Sequence, residues 1–164
     1  MVSTGETAQY QPTVEVLTAL TDADVQDYAR LLPQLSSTPR TEDVIKQNLE
    51  RSLESPTSRT FVIRDEDGRI QASATGNLCP IPTGLKPWVD DVMTDQEHRG
   101  KGYGAMLMGA LHGWFQEAGA PYANLTSTPD KGAAGRLYER LGYLMRKTRV
   151  YRITFGLGET ATKG

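Results

Sequence analysis

The sequence predicts a mixed α/β domain with an antiparallel front half and one strand-helix-strand crossover near its middle. Three observations carry this. Threonines at 21 and 41 precede two stretches with helical apolar spacing; Thr60–Leu78 alternates as a hairpin; and a glycine-rich run joins a strand at 88–94 to an amphipathic stretch at 103–118.

Val14–Leu20 (VEVLTAL) reads as a short strand that stops at Thr21-Asp22, a helix cap. Val25, Tyr28, Leu31 and Leu32 then recur at helical spacing, and Pro33–Pro39 is expected to separate this helix from the next. The second opens at Thr41, carries Val44, Ile45, Leu49 and Leu53, and closes before Ser55-Pro56. Thr60–Arg64 and Ile70–Leu78 flank a turn that holds Gly68, which predicts an antiparallel hairpin. Residues 80–87 (PIPTGLKP) contain three prolines and are expected to form a loop before the strand Trp88–Thr94. The helix at Tyr103–Ala118 ends at Gly119. A strand at Tyr122–Thr128, a helix at Gly132–Leu141 and a last extended run at Tyr143–Phe155 complete the order. The first dozen residues and the last nine (GLGETATKG) are polar and patternless, and are expected to fray.

At 164 residues, with 38% hydrophobic and 23% charged residues, the chain is long enough to bury a core as one domain spanning 1–164, with its core at about 14–155. It has no run approaching the ~18 to 20 apolar residues of a membrane span, and its start shows no secretory pattern, so a cytoplasmic protein without a membrane partner is expected. The Asn124-Leu125-Thr126 sequon lies in a predicted strand of such a chain and is read as incidental. A net charge of -2 gives no global field for nucleic acid, so none is expected as a partner. Cys79 stands alone, and His98 and His112 lack further ligands at metal spacing, so no metal site is expected.

Chemistry concentrates in Arg99-Gly100-Lys101-Gly102-Tyr103-Gly104. Between a strand and a helix, unpaired N–H groups and the helix dipole converge, glycines keep Cβ atoms out of the way, and two cations add charge, so a pyrophosphate fits. The spacing does not make a Walker A loop, because no glycine is followed by Lys-Ser or Lys-Thr. A dinucleotide pattern is formally met by Gly100, Gly102 and Ala105, but YANLTST lacks the acid that would hold a ribose.

The motif Arg99-x-x-Gly102-x-Gly104, with Leu137-Tyr138-Glu139-Arg140-Leu141-Gly142-Tyr143 in the same order and spacing, resembles the GNAT superfamily of acyl-CoA-dependent N-acyltransferases over about Val14–Phe155. The resemblance implies a three-layer fold: a mixed, mostly antiparallel sheet of six to seven strands flanked by four helices. It also implies acetyl-CoA as acyl donor. Trp88–Thr94 is similar to the strand of glucosamine-phosphate acetyltransferases in which an acidic pair precedes the cofactor contacts. On that pattern Val92, Met93 and Thr94 would pair with the pantetheine arm through their backbone, and Arg99, Gly100, Lys101, Gly102, Tyr103 and Gly104 would hold the pyrophosphate. Tyr138 matches the tyrosine that contacts the sulfur and protonates it on departure. The family often places Asn where this chain has Lys131, which could reach a phosphate instead.

Aminolysis of a thioester needs a deprotonated amine, and Asp90 or Asp91 is the candidate base, unless water serves. Alternation along the strand allows only one of the two to face a cleft. The segment from Leu125-Thr126-Ser127 to Tyr138, with the late strand Lys147–Arg152, resembles bacterial small-molecule members such as aminoalkylphosphonate acetyltransferases, and Arg146, Lys147, Arg149 and Arg152 cluster there. Arg149 and Tyr151 are the candidate acceptor-binding residues there, against the alternative of a solvated face. The expected activity is therefore direct acetyl transfer to a primary amine of a small polar metabolite. A protein lysine acceptor, a non-catalytic acyl-CoA sensor and a nucleotide-dependent redox activity are the alternatives. Family members often dimerise, so a homodimer is the oligomer the resemblance suggests.

Overall fold

The computed structural model describes residues 10–155, so the polar terminal residues 1–9 and 156–164, where most of the expected fraying falls, lie outside the described residues. The order is β1 (Val14–Val16), α1 (Asp22–Leu35), α2 (Glu42–Glu54), β2 (Ser58–Arg64), β3 (Ile70–Ile81), β4 (Gly84–Thr94), a 3₁₀ turn at Gln96–His98, α3 (Tyr103–Glu117) and α4 (Gly132–Arg140). The four strands form one antiparallel sheet in the order β1-β2-β3-β4.

Local chemistry explains the boundaries. Thr21 and Asp24 cap the start of α1 reciprocally, each side chain accepting the other's backbone N–H, and Thr41 accepts from Val44 at the start of α2. Pro33 lies inside α1 rather than after it, because the last turn is closed past it by the Ser36 N–H on the Leu32 carbonyl at 2.9 Å. The β2–β3 turn is fixed by Asp65, whose carboxylate accepts from the N–H groups of Asp67 and Arg69, with Gly68 at φ +80°.

Residues 80–87, expected as a loop, are the tip of the β3–β4 hairpin, with Pro80 opposite Leu85 and Leu78 opposite Pro87. The reason is positional: β2 pairing ends at Asn77, so the tip is a two-stranded ribbon in which half of the N–H groups have no pairing to make.

Alternation along β2 divides the core between the two faces of the sheet. Phe61 and Ile63 pack with Leu107, Met108, Leu111, Trp114 and Phe115 of α3, and Val62 packs with Val25, Tyr28, Leu31, Ile45 and Leu49 of α1 and α2. Gly76 leaves room for this, since a Cβ there would lie 2.6 Å from Leu111 Cδ2 and 2.8 Å from Trp114. Three layers follow, as expected. Four strands form among the described residues where six to seven were expected. Tyr122–Thr128 contributes only a parallel bridge from Asn124 to Trp88, and residues 144–155 make no strand. Leu144, Met145, Val150, Tyr151, Ile153 and Phe155 are exposed there. Apolar alternation alone cannot form a strand without a neighbouring edge at the right place.

Candidate active site

The site begins with a defect in β4. Ser73 pairs with Met93 and Thr75 with Asp90, so Ala74 opposes two residues, Asp91 and Val92. Asp91 sits at φ +47°, the sole non-glycine residue with positive φ among those described, which is the backbone of a bulge. The bulge changes the alternation: Val89 and Val92, three apart, both pack toward α3, whereas Met93 packs toward α1 and α2. It also marks where β4 loses its outer neighbour. The Val89 N–H donates to the Asn124 carbonyl at 2.8 Å, and among the described residues no pairing continues along that edge toward Thr94.

The acidic pair is thereby split between two roles. Asp90 lies on the paired stretch and accepts from Asn77 Nδ2 at 2.9 Å, whereas Asp91 forms the bulge itself. Desolvation is the main influence on Asp90 and raises its pKa; the neighbouring Asp91 charge raises it further, while hydrogen bonds from Asn77 and Trp88 pull the other way. Asn77 was missed in the sequence, since nothing local marks a β3 residue that the register places beside Asp90.

At the end of β4 the chain enters the glycine loop. Asp95 is buried and accepts from the Glu97 N–H, and an Arg30–Asp95 ion pair ties this corner to α1. The Gln96 N–H donates to Gln34 Oε1 of α1 at 2.9 Å. Gly100 and Gly102 both have positive φ, near +80°, with nothing within 4 Å of where a Cβ would stand. Gly102 is also the cap of α3 and supplies no side-chain acceptor, so the first N–H groups of that helix have no side-chain cap. Gly104 serves packing instead: its Cβ would lie 2.9 Å from Leu137 Cδ2 of α4. Arg99 and Lys101 are exposed, with Arg99 Nε donating to the Thr94 carbonyl at 3.3 Å. The Tyr103 side chain is buried and stacks against His98, so the backbone N–H is what Tyr103 can offer an anion.

Tyr138 lies in the last turn of α4, half-buried against the α3-side core, and burial raises its pKa. The Tyr143 ring meets it edge-on at 5.8 Å. Lys131 precedes α4 and donates from Nζ to the Leu35 carbonyl at 2.9 Å, which joins the loop before α4 to the end of α1. Arg149 and Tyr151 are exposed, and neither makes a hydrogen bond or ion pair among the described residues. The structure thus brings the β4 residues, the glycine loop and α4 around α3, and leaves the side chains of the late basic residues exposed.

An open strand edge running into an uncapped, glycine-lined helix start is a place for an extended chain ending in phosphates. A family profile described as the acetyltransferase (GNAT) family matches residues 21–143, which include the bulge, the loop and the whole of α4. The chain belongs to the GNAT acetyltransferase family.

It is an N-acetyltransferase, and the family uses acetyl-CoA as donor. The GNAT chain is 27% identical over 131 residues to the uncharacterized N-acetyltransferase YhdJ of Bacillus subtilis (strain 168), covering 74% of this chain and 92% of that one. Its fold is similar to that of glucosamine-6-phosphate N-acetyltransferase from Arabidopsis thaliana, with a TM-score of 0.71, 19% identity and coverage of 88% and 99%. It is also similar to AAC(6')-Iy in complex with a bisubstrate analog, with a TM-score of 0.73, 13% identity and coverage of 89% and 100%. This GNAT site meets the physical demands of the donor. The glycine positions leave space and N–H groups for a pyrophosphate, and β4 leaves an edge for an amide-bearing arm.

Proposed function

We propose that this acetyltransferase moves an acetyl group from acetyl-CoA directly to a primary amine of a small polar molecule. The observation that carries the reading is the bulge at Asp91, beyond the last pairing on the outer edge of β4, beside Asp90 and ahead of the turn that leads to the glycine loop. Acetyl-CoA supplies the thioester carbonyl and a thiolate leaving group.

The residues of the chain supply binding and proton transfer. The backbone of Val92, Met93 and Thr94 offers hydrogen bonds to the pantetheine arm, and the N–H groups of Gly100–Gly104 with Arg99 and Lys101 hold the pyrophosphate. Asp90, kept in place by Asn77, takes the proton of the acceptor ammonium directly or through a water. The freed nitrogen forms a bond to the acetyl carbon as the C–S bond breaks, the Tyr138 phenol gives its proton to the departing sulfur, and the second proton shed by the nitrogen passes through water to restore the phenol. Its raised pKa means the phenol still carries that proton at neutral pH. Asp91 shapes the bulge rather than touching the amine. Lys131, free to leave the Leu35 carbonyl at the protein surface, is a third phosphate cation.

The test is thiol release from acetyl-CoA against a panel of small amines, aminophosphonates, amino sugars and a lysine peptide, with thermal stabilisation by CoA in parallel. Turnover with one small-amine class is expected. Stabilisation without turnover on any amine would mean a cofactor sensor, turnover on the peptide alone a protein acetyltransferase, and no stabilisation would overturn the assignment of the loop.

A further inference from the structure

We propose that His112 of α3 is a positioning residue for the transfer, holding the Tyr138 phenol in place through Tyr143. The inference rests on the reading of Tyr138 as the donor to the sulfur.

The need arises from α4. It has nine residues, none of them fully buried, and neither a side-chain cap at its start nor an acid in its first turn. A helix that short has little stability of its own and takes its position from its contacts. Its inner stripe, Leu137, Tyr138 and Leu141, is only partly buried against the core.

One polar tie fixes the end of this helix to α3. His112 Nε2 and Tyr143 Oη are 2.8 Å apart, with ring centroids at 5.5 Å. The neighbours of His112 on the inner face of α3, Leu111 and Phe115, are buried in the core, so the imidazole is mounted on a helix anchored there. Tyr143 in turn meets Tyr138 twice: its N–H donates to the Tyr138 carbonyl at 2.9 Å, and its ring stands edge-on to the Tyr138 ring. Burial pushes His112 down and Tyr143 up to about 12, so a neutral imidazole and a protonated phenol share the bond at neutral pH. The hydroxyl of Tyr143 is what His112 requires.

The experiment compares His112→Leu, His112→Gln and Tyr143→Phe in the wild-type and Tyr138→Phe backgrounds. Thiol release with the best amine of the panel, or by hydrolysis where none reacts, gives kcat and the KM for acetyl-CoA, and Tm is followed alongside. The loss of a partly buried hydrogen bond that orients the phenol is expected to lower kcat about fivefold to tenfold in His112→Leu and Tyr143→Phe. KM for acetyl-CoA should stay within about twofold, and His112→Gln, which can still reach the hydroxyl, should recover most of the rate. In the Tyr138→Phe background the same changes should cost less than about twofold, because the group being positioned is gone. Full activity in both single variants, or an equal loss in both backgrounds, would overturn the positioning role while leaving Tyr138 its own. A Tyr138→Phe enzyme with undiminished kcat would overturn the reading of Tyr138 itself, and the positioning role with it.

Discussion

The N–H of Tyr143 donates to the carbonyl of Tyr138, five residues back, while that of Gly142 donates to Glu139 at 3.0 Å. These two bonds close α4 in a Schellman cap, with Gly142 in the left-handed conformation at φ +86°. The motif Leu137–Tyr143 is therefore a cap as well as a signature. Its glycine lets the chain turn back, and the aromatic after it returns to the ring of Tyr138.

Gly142→Ala tests the cap. Nothing stands within 4 Å of the added Cβ, so the cost is backbone strain alone, about 1 to 2 kcal/mol. Urea unfolding should show that loss, and kcat should fall with it as Tyr143 moves off Tyr138.

Gly104→Ala acts differently, because its Cβ would meet Leu137 Cδ2 at 2.9 Å rather than strain the chain. It should lower Tm and reduce the stabilisation conferred by CoA. Gly104→Ala with Leu137→Val, which withdraws the clashing methyl, should recover part of both; no recovery would place the effect elsewhere.

If Asp90 takes the proton of the acceptor as proposed, it sets the acid limb of the rate. Its pKa in the folded protein is raised, chiefly by desolvation, so the active carboxylate form is lost on acidification at a pH above the usual aspartate value of about 3.9. The stability sign is opposite: the protonated form is favoured by folding, so this contribution is present at low pH and lost as pH rises through the folded pKa. Asp90→Asn should abolish the acid limb along with most of kcat, yet be at least as stable as the wild type at pH 7. Its advantage should fade below about pH 4. Rate profiles and denaturant midpoints across pH check both.

Asp27 holds α1 to the sheet. It is fully buried, accepts from the Ile70 N–H and from Arg69 Nε at 2.8 Å each, and pairs with Arg30 at 3.4 Å. Asp27→Ala leaves the buried Ile70 N–H without its acceptor and Arg69 without its carboxylate, while Arg30 keeps Asp95, and the unsatisfied N–H should cost about 1 to 3 kcal/mol in urea unfolding. Arg30 also pairs with Asp95 before the glycine loop, so affinity for CoA should fall in the same variant.

How much of this was legible follows the range of the forces. The caps at Thr21 and Thr41, the turn at Gly68 and the glycines at 100, 102 and 142 are decided within three or four residues, and each was readable from neighbours. The proline-rich tip was misread because a loop composition says nothing about whether β3 and β4 continue past the edge of β2. The extended run expected at Tyr143–Phe155 forms no strand among the described residues, because an extended segment supplies a face but no partner.

The sequence by itself determined the family, the glycine loop and the order of helices, because backbone geometry and capping are local and leave residue types at fixed spacings. Only the tertiary structure decided what the acidic pair does. The register between β3 and β4 puts one extra residue opposite Ala74, and this turns Asp91 into the bulge and sets Asp90 beside Asn77. It also brought His112 to Tyr143, thirty-one positions away, since a contact across two helices depends on how both pack on the same core and not on any spacing along the chain.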